Sequence, residues 1–132
     1  MELLELEYAR GECRAENHRI DYMTLHALDA WVRDVSVLTD ARRLCAILRA
    51  GADAGGATVV GEEFVVFPNG AVTGVLLLAQ SHLSIHTWPE FELANLDLLS
   101  YGHVRGDEVL RVICEELDVE RSKRVRIPRT IG

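Results

Sequence analysis

Two periodicities alternate along the chain, one near 3.6 residues and one of 2, and their order predicts the architecture. Leu4, Leu6 and Tyr8 alternate with Glu5 and Glu7, the pattern of a half-buried strand, and a polar loop from Arg10 to Arg19 follows. A second strand is predicted over Leu25 to Val32, its alternation interrupted by His26 and Asp29. From Asp40 the period lengthens: Leu44, Ile47 and Leu48 share one helical face, Arg42, Arg43 and Arg49 fall largely elsewhere, and Gly55-Gly56 supplies a stop. Strands over Thr58 to Val60 and Phe64 to Phe67 then lead into Pro68-Asn69-Gly70 and the apolar stretch Val72 to Ala79. The proline presets one turn torsion and the residues after it tolerate positive φ, so this segment reads as a hairpin. Ser81 to Thr87 and Leu93 to Leu99 form a further strand pair, joined through Trp88-Pro89-Glu90. Asp107 is the expected N-cap of a helix whose Val109, Leu110, Val112, Ile113 and Leu117 face the core, and a last strand, Val125 to Ile127, ends at Pro128.

This order gives an α+β fold, with helices layered on one face of an antiparallel sheet. The other sheet face needs cover, so a dimer or a second sheet is expected. At 132 residues with 48% hydrophobic and 27% charged positions, the chain is one domain, residues 1–132, able to build its core without disulfide staples. Cys13, Cys45 and Cys114 are odd in number, widely separated and free of any CxxC pair, which points to a reducing cytoplasm. A net charge of -7 argues against nucleic acid or an anionic membrane as partner, because like charge would meet like. The longest strongly apolar run, Val75 to Ala79, is too short to span a bilayer, and the acidic start lacks the basic region of a secretory signal.

Polar chemistry is densest in Gln80-Ser81-His82-Leu83-Ser84-Ile85-His86-Thr87-Trp88-Pro89-Glu90. In an extended segment Ser81, Leu83, Ile85 and Thr87 share one face, and His82, Ser84, His86 and Trp88 the other. His82 and His86 would project the same way but about 13 Å apart at 3.3 Å per residue, too far for one metal ion. No GxSxG elbow marks a hydrolase serine. On the residues alone, these side chains satisfying backbone groups of a polar sheet face remains the default.

The run Ser81 to Glu90 nevertheless resembles the signature of the prokaryotic S-adenosylmethionine decarboxylase family. The similarity extends upstream through Gly56-Ala57-Thr58-Val59-Val60 and Phe67 to Val75, and downstream to Ala94-Asn95-Leu96-Asp97. It covers the chain from about Leu25 onward and leaves residues 1–22 as an N-terminal extension. The resemblance implies a two-layer α/β sandwich with two protomers packing their sheets together, and a proenzyme that cuts itself between Gln80 and Ser81. The Ser81 hydroxyl would attack the Gln80 carbonyl, and elimination and hydrolysis would leave a pyruvoyl group. That group would form a Schiff base with the substrate amine and accept electrons as carbon dioxide leaves. His86 matches the histidine used in processing, and Thr73 occupies the place of an assisting serine while keeping the hydroxyl. Phe67, Trp88 and Glu90 match positions associated with the nucleoside end of the substrate. The implied role is polyamine (spermidine) synthesis in the cytoplasm by a homodimer of processed chains, with no metal.

Two positions depart from the family pattern. Gln80 stands where glutamate is usual, and the scissile carbonyl is a backbone group that an amide side chain does not remove. Tyr101, before Gly102, stands where the family has a cysteine that reprotonates the substrate carbon. A phenol is ordinarily a weaker acid than a thiol, and much larger. Three readings follow: Tyr101 replaces the acid in an adenosylmethionine decarboxylase; the pocket takes a smaller amino acid such as ornithine or arginine; or the chain is a non-processing, non-catalytic regulatory homologue. Retention of both Ser81 and His86 favours an enzyme.

Overall fold

A computed structural model describes residues 23–130, and the strand expected over Leu4 to Tyr8 lies outside them. Six strands, β1 (Met23–Val32), β2 (Val59–Val66), β3 (Val72–Leu78), β4 (Ser81–Trp88), β5 (Leu93–Tyr101) and β6 (Val119–Arg129), form one sheet in the order β2-β3-β4-β5-β1-β6. Every neighbouring pair is antiparallel. Two helices, α1 (Ala41–Ala54) and α2 (Gly106–Leu117), cover one face, as the α+β reading requires. Among the described residues no helix is long and apolar enough to cross a membrane.

Strand alternation decides which side chains fill the core. On β1 the buried positions are Thr24, His26, Leu28, Ala30 and Val32; on β4 they are Leu83, Ile85 and Thr87; on β5, Ala94, Leu96, Leu98 and Ser100. Their apolar members meet Leu44, Ile47 and Leu48 of α1 and Val109, Leu110, Ile113 and Leu117 of α2 in one continuous cluster. The helices pack closely because α1 carries Gly51 and Gly55 at their contact. A methyl at Gly51 would sit 2.7 Å from Ile113 Cγ1, and one at Gly55 2.2 Å from Val109 Cγ2.

Several boundaries differ from the sequence reading. The segments expected over Thr58 to Val60 and Phe64 to Phe67 merge into one strand, β2, continuous through Gly61-Glu62-Glu63 with Thr58 and Phe67 just outside it, since an edge strand needs no apolar alternation on its solvent side. The last strand is 11 residues long and passes through Pro128, which pairs in register with Thr24. An outer strand tolerates proline because only one of its sides meets a neighbour. Arg105, not Asp107, is the N-cap of α2; Asp107 lies in the first turn, where its charge complements the helix dipole. A 3-10 turn, Val35–Thr39, carries too short a pattern to be read from sequence, yet it buries Val37 and Leu38. The α1 start and the Phe67 to Ala71 turn agree with expectation: Asp40 accepts from the Arg43 N–H, and Gly70 N–H bonds Phe67 oxygen at 2.8 Å.

Candidate active site

Strand β4 carries the conspicuous run, and the period of 2 sorts it by face as the sequence predicts. Thr87 is structural: its hydroxyl accepts from the Val72 N–H and donates to the Leu38 carbonyl, both at 2.8 Å, tying β3 and the 3-10 turn to the strand. His82, Ser84, His86 and Trp88 point to the sheet face that the helices leave open. On that face, cross-strand register assembles a row, Asp29–Asn95–His86–Thr73, running across β1, β5, β4 and β3.

At this end of the sheet the sequence-predicted residues gather. Thr73 Oγ1 and His86 Nδ1 share a hydrogen bond of 3.0 Å. Trp88 ends β4 and Phe67 follows β2, both rings nearly half exposed. Glu90 is exposed in the 3-10 turn Pro89–Phe91 that connects β4 to β5. Sequence reasoning missed Asp29 and Asn95. The Trp88 indole N–H donates to Asn95 Oδ1 at 2.6 Å, and Asn95 Nδ2 donates to Asp29 Oδ1 at 2.7 Å. The signal was present, since Asp29 interrupts an otherwise alternating strand, but only register reveals its partner. In the next row, Arg121 stacks its guanidinium 3.9 Å from the Trp31 ring centre.

The opposite end holds Gln80, Ser81 and Tyr101. Leu78 pairs with Ser81 across a two-residue turn whose second residue, Gln80, has φ of 62°. A non-glycine residue in this left-handed region carries backbone strain of about 1 kcal/mol or more, located at the peptide expected to break. The Ser81 hydroxyl donates to the Leu99 carbonyl. Tyr101 ends β5 two residues further on, half-buried and opposite Met23. Behind this peptide His26 is buried against the first turn of α2, where a methyl on Gly106 would lie 2.4 Å from its Nε2. His26 Nε2 and Ser100 Oγ are 3.2 Å apart, and His26 Nδ1 has no hydrogen-bond partner among the described residues. Burial pushes the His26 pKa down to about 4; the Asp107 charge opposes this, and Arg124 and Arg126 add to it.

The structure therefore brings Thr73 and His86 together, with Phe67, Trp88 and Glu90 at the same end, and leaves Ser81 and Tyr101 at the other. Five residues of extended chain put the α-carbons of Ser81 and His86 about 16 Å apart, and their side chains fall on opposite faces. Among the described residues no group of three or more His, Cys, Asp or Glu side chains gathers around a common point. Neither described cysteine takes the place of the missing thiol. Burial, together with the acceptor Glu62, raises the Cys45 pKa; burial alone raises that of Cys114. Both sit on helices, away from Tyr101.

Residues 24–130 match the family model described as S-adenosylmethionine decarboxylase. A protein of Methanococcus maripaludis named S-adenosylmethionine decarboxylase proenzyme is 33% identical over 105 residues, covering 79% of this chain and 86% of that one. A protein of the same name from Symbiobacterium thermophilum is 50% identical over 66 residues, or 50% of each chain. The matched stretch thus spans about half the length of that relative, and 48% of a Pseudomonas paraeruginosa relative with the same name. The crystal structure of the adenosylmethionine decarboxylase from Aquifex aeolicus superposes with a TM-score of 0.72 at 26% identity, covering 85% of this chain and 93% of that one.

Proposed function

The chain belongs to the S-adenosylmethionine decarboxylase family, and from that premise we propose that it is a self-cleaving, pyruvoyl-dependent decarboxylase of adenosylmethionine. The observation that carries the reading is the Gln80-Ser81 peptide, in which a strained residue supplies the carbonyl that immediately precedes a serine at the start of β4. In processing, the Ser81 Oγ attacks the Gln80 carbonyl carbon while the peptide C–N bond breaks, giving an ester and a free Ser81 amine. Loss of the Ser81 α-proton then breaks the Cβ–O bond, releasing Gln80 as a carboxylate and leaving a dehydroalanine. Its imine tautomer takes up water and releases ammonia, so residue 81 becomes pyruvoyl. The residues present fit such a group, because Ser81 begins a strand directly after an exposed turn, where a new chain end can form without unravelling the sheet. Once formed, the group supplies an electron-withdrawing carbonyl that takes up the electron pair left when carbon dioxide departs.

The proton transfers of cleavage need a base, and His86 with Thr73 lies too far from Ser81 in one protomer to serve. Two copies that pack their open faces about a two-fold axis, with β4 antiparallel to the partner's β4, bring the Gln80-Ser81 turn of each against the other's Thr73–His86 end, and the Ser81 side chain turns from the covered face at this exposed turn to meet that pair. A homodimer with two composite sites follows, and it covers the face that the helices leave bare. Phe67, Trp88 and Glu90 then contact the nucleoside end of the substrate: the rings stack on adenine and the carboxylate accepts from ribose hydroxyls. Tyr101 is the proton donor to the substrate carbon in place of the family cysteine. Its bulk favours a second reading, a shorter substrate such as ornithine or arginine. The product class is the decarboxylated precursor of polyamine synthesis, and the site of action the cytoplasm.

Two experiments test this. Co-expressed with a Ser81→Ala chain, a His86→Ala chain is expected to regain cleavage that it lacks alone; cleavage of His86→Ala alone, or none in the mixture, contradicts the composite site. Carbon dioxide release is expected from adenosylmethionine and not from ornithine or arginine. The reverse pattern overturns the substrate assignment.

A further inference from the structure

The Trp88 indole is nearly half exposed, yet it is tethered in one orientation by two hydrogen bonds in series. An exposed aromatic ring on the last residue of a strand ordinarily keeps rotamer freedom, and ordering it costs entropy. The tether has a definite logic. Indole N–H can only donate, so it requires an acceptor, and Asn95 Oδ1 supplies one at 2.6 Å. An amide by itself has two nearly equivalent orientations, one of which would point its NH2 at the indole and break that bond. Asp29, whose carboxylate only accepts, receives Asn95 Nδ2 at 2.7 Å and selects the productive orientation. The strand register makes this possible, because Asp29 and Asn95 are directly opposite each other across β1 and β5. Asn95 is also directly opposite His86 across β5 and β4, so the tether stands in the row that holds the Thr73–His86 pair.

We propose that Asp29 and Asn95 are positioning residues that hold Trp88 as a preformed platform for the flat base of a nucleoside substrate. This rests on the nucleoside reading above. The platform lies at the end of β4 that meets the partner's Ser81 in the composite site, but the tether bonds neither Thr73 nor His86, so it governs binding of the nucleoside part rather than the chemistry at residue 81. A substrate without a base gains nothing from it.

The test uses the full chain carrying Asn95→Ala, and the exchanged pair Asp29→Asn with Asn95→Asp, in which one carboxylate accepts from both the indole and the neighbouring amide. Asn95→Ala is expected to raise KM for adenosylmethionine about tenfold with kcat and self-cleavage within twofold of the parent. The exchanged pair is expected to recover KM to within about twofold or threefold. A parallel readout needs no catalysis: in a Trp31→Phe background Trp88 is the remaining tryptophan, and adenosine should quench its emission. Asn95→Ala is expected to weaken that quenching about tenfold, and the exchanged pair to restore it. Unchanged KM and adenosine affinity in Asn95→Ala, or an exchanged pair as weak as Asn95→Ala, overturns the proposal. If the parent binds adenosine through the tether yet decarboxylates no nucleoside, the tether stands and the substrate assignment falls.

Discussion

The two faces of one sheet are built to different rules. Beneath the helices, Leu83, Ile85, Leu96 and Leu98 are fully buried, and the buried inward positions of β1, β4 and β5 are aliphatic except for Thr24, His26, Thr87 and Ser100. On the open face β1, β5, β4 and β3 present Asp29, Asn95, His86 and Thr73 in one row, and Leu77, half exposed, lies further along β3 opposite His82. Adjacent residues on β4 thus answer to different demands: Ile85 holds the fold, and His86 next to it belongs to the candidate site. A strand that alternates every residue can carry a stabilising set and a chemical set at once, with little cost of one to the other.

The largest effect expected from breaking this division is at Ile85. Ile85→Ala opens a cavity in a close-packed layer and should lower stability by about 3.5 kcal/mol in urea unfolding. Leu77→Ala on the open face, measured at a concentration where the chain is monomeric, should cost roughly 0.5 kcal/mol or less. Equal costs would mean that the two faces are not distinct.

His26 sharpens the comparison, because it is the titratable side chain that β1 sends into the covered face. Its pKa is pushed down to about 4 in the folded chain, against an ordinary 6.5. Between these values the unfolded chain binds a proton that the folded chain refuses. Stability should therefore rise with pH across the window and be lost as pH falls from 6.5 towards 4, by on the order of 3 kcal/mol. Unfolding measured at pH 4.5 and 7 should show this difference, and His26→Gln should remove most of it. A parent with equal stability at both pH values contradicts the burial argument.

On the chemical side, Tyr101→Phe removes only the hydroxyl and should lower kcat about a hundredfold, roughly 2.7 kcal/mol of barrier, with folding and cleavage intact. Unchanged turnover, with no rise in products of incorrect protonation, removes Tyr101 as the acid.

Much of this was legible in the chain. The period of 2 over Ser81 to Trp88 assigned each side chain to its face, and the resemblance of that run singled out Ser81, His86 and Trp88. Asp107 was misread as a cap because an acid near a helix start fits either the cap or the first turn. The extent of β6 was hidden by its charged residues and Pro128, which an edge strand tolerates. Two further facts depend on register, a property of strand pairs that no local pattern encodes. One is the Trp88–Asn95–Asp29 tether, made by residues 66 positions apart in its longer link. The other is the pairing of Thr73 with His86 at the end of the sheet away from Ser81, which turns an apparently continuous motif into two halves of a site.

Every catalytic statement depends on the break between Gln80 and Ser81, so the most direct measurement is the denatured mass of freshly purified protein beside a Ser81→Ala control. Two fragments are predicted, one ending at Gln80 and one beginning with pyruvoyl in place of Ser81, with the control remaining one chain. A single full-length mass in the parent that persists through long incubation would contradict the account.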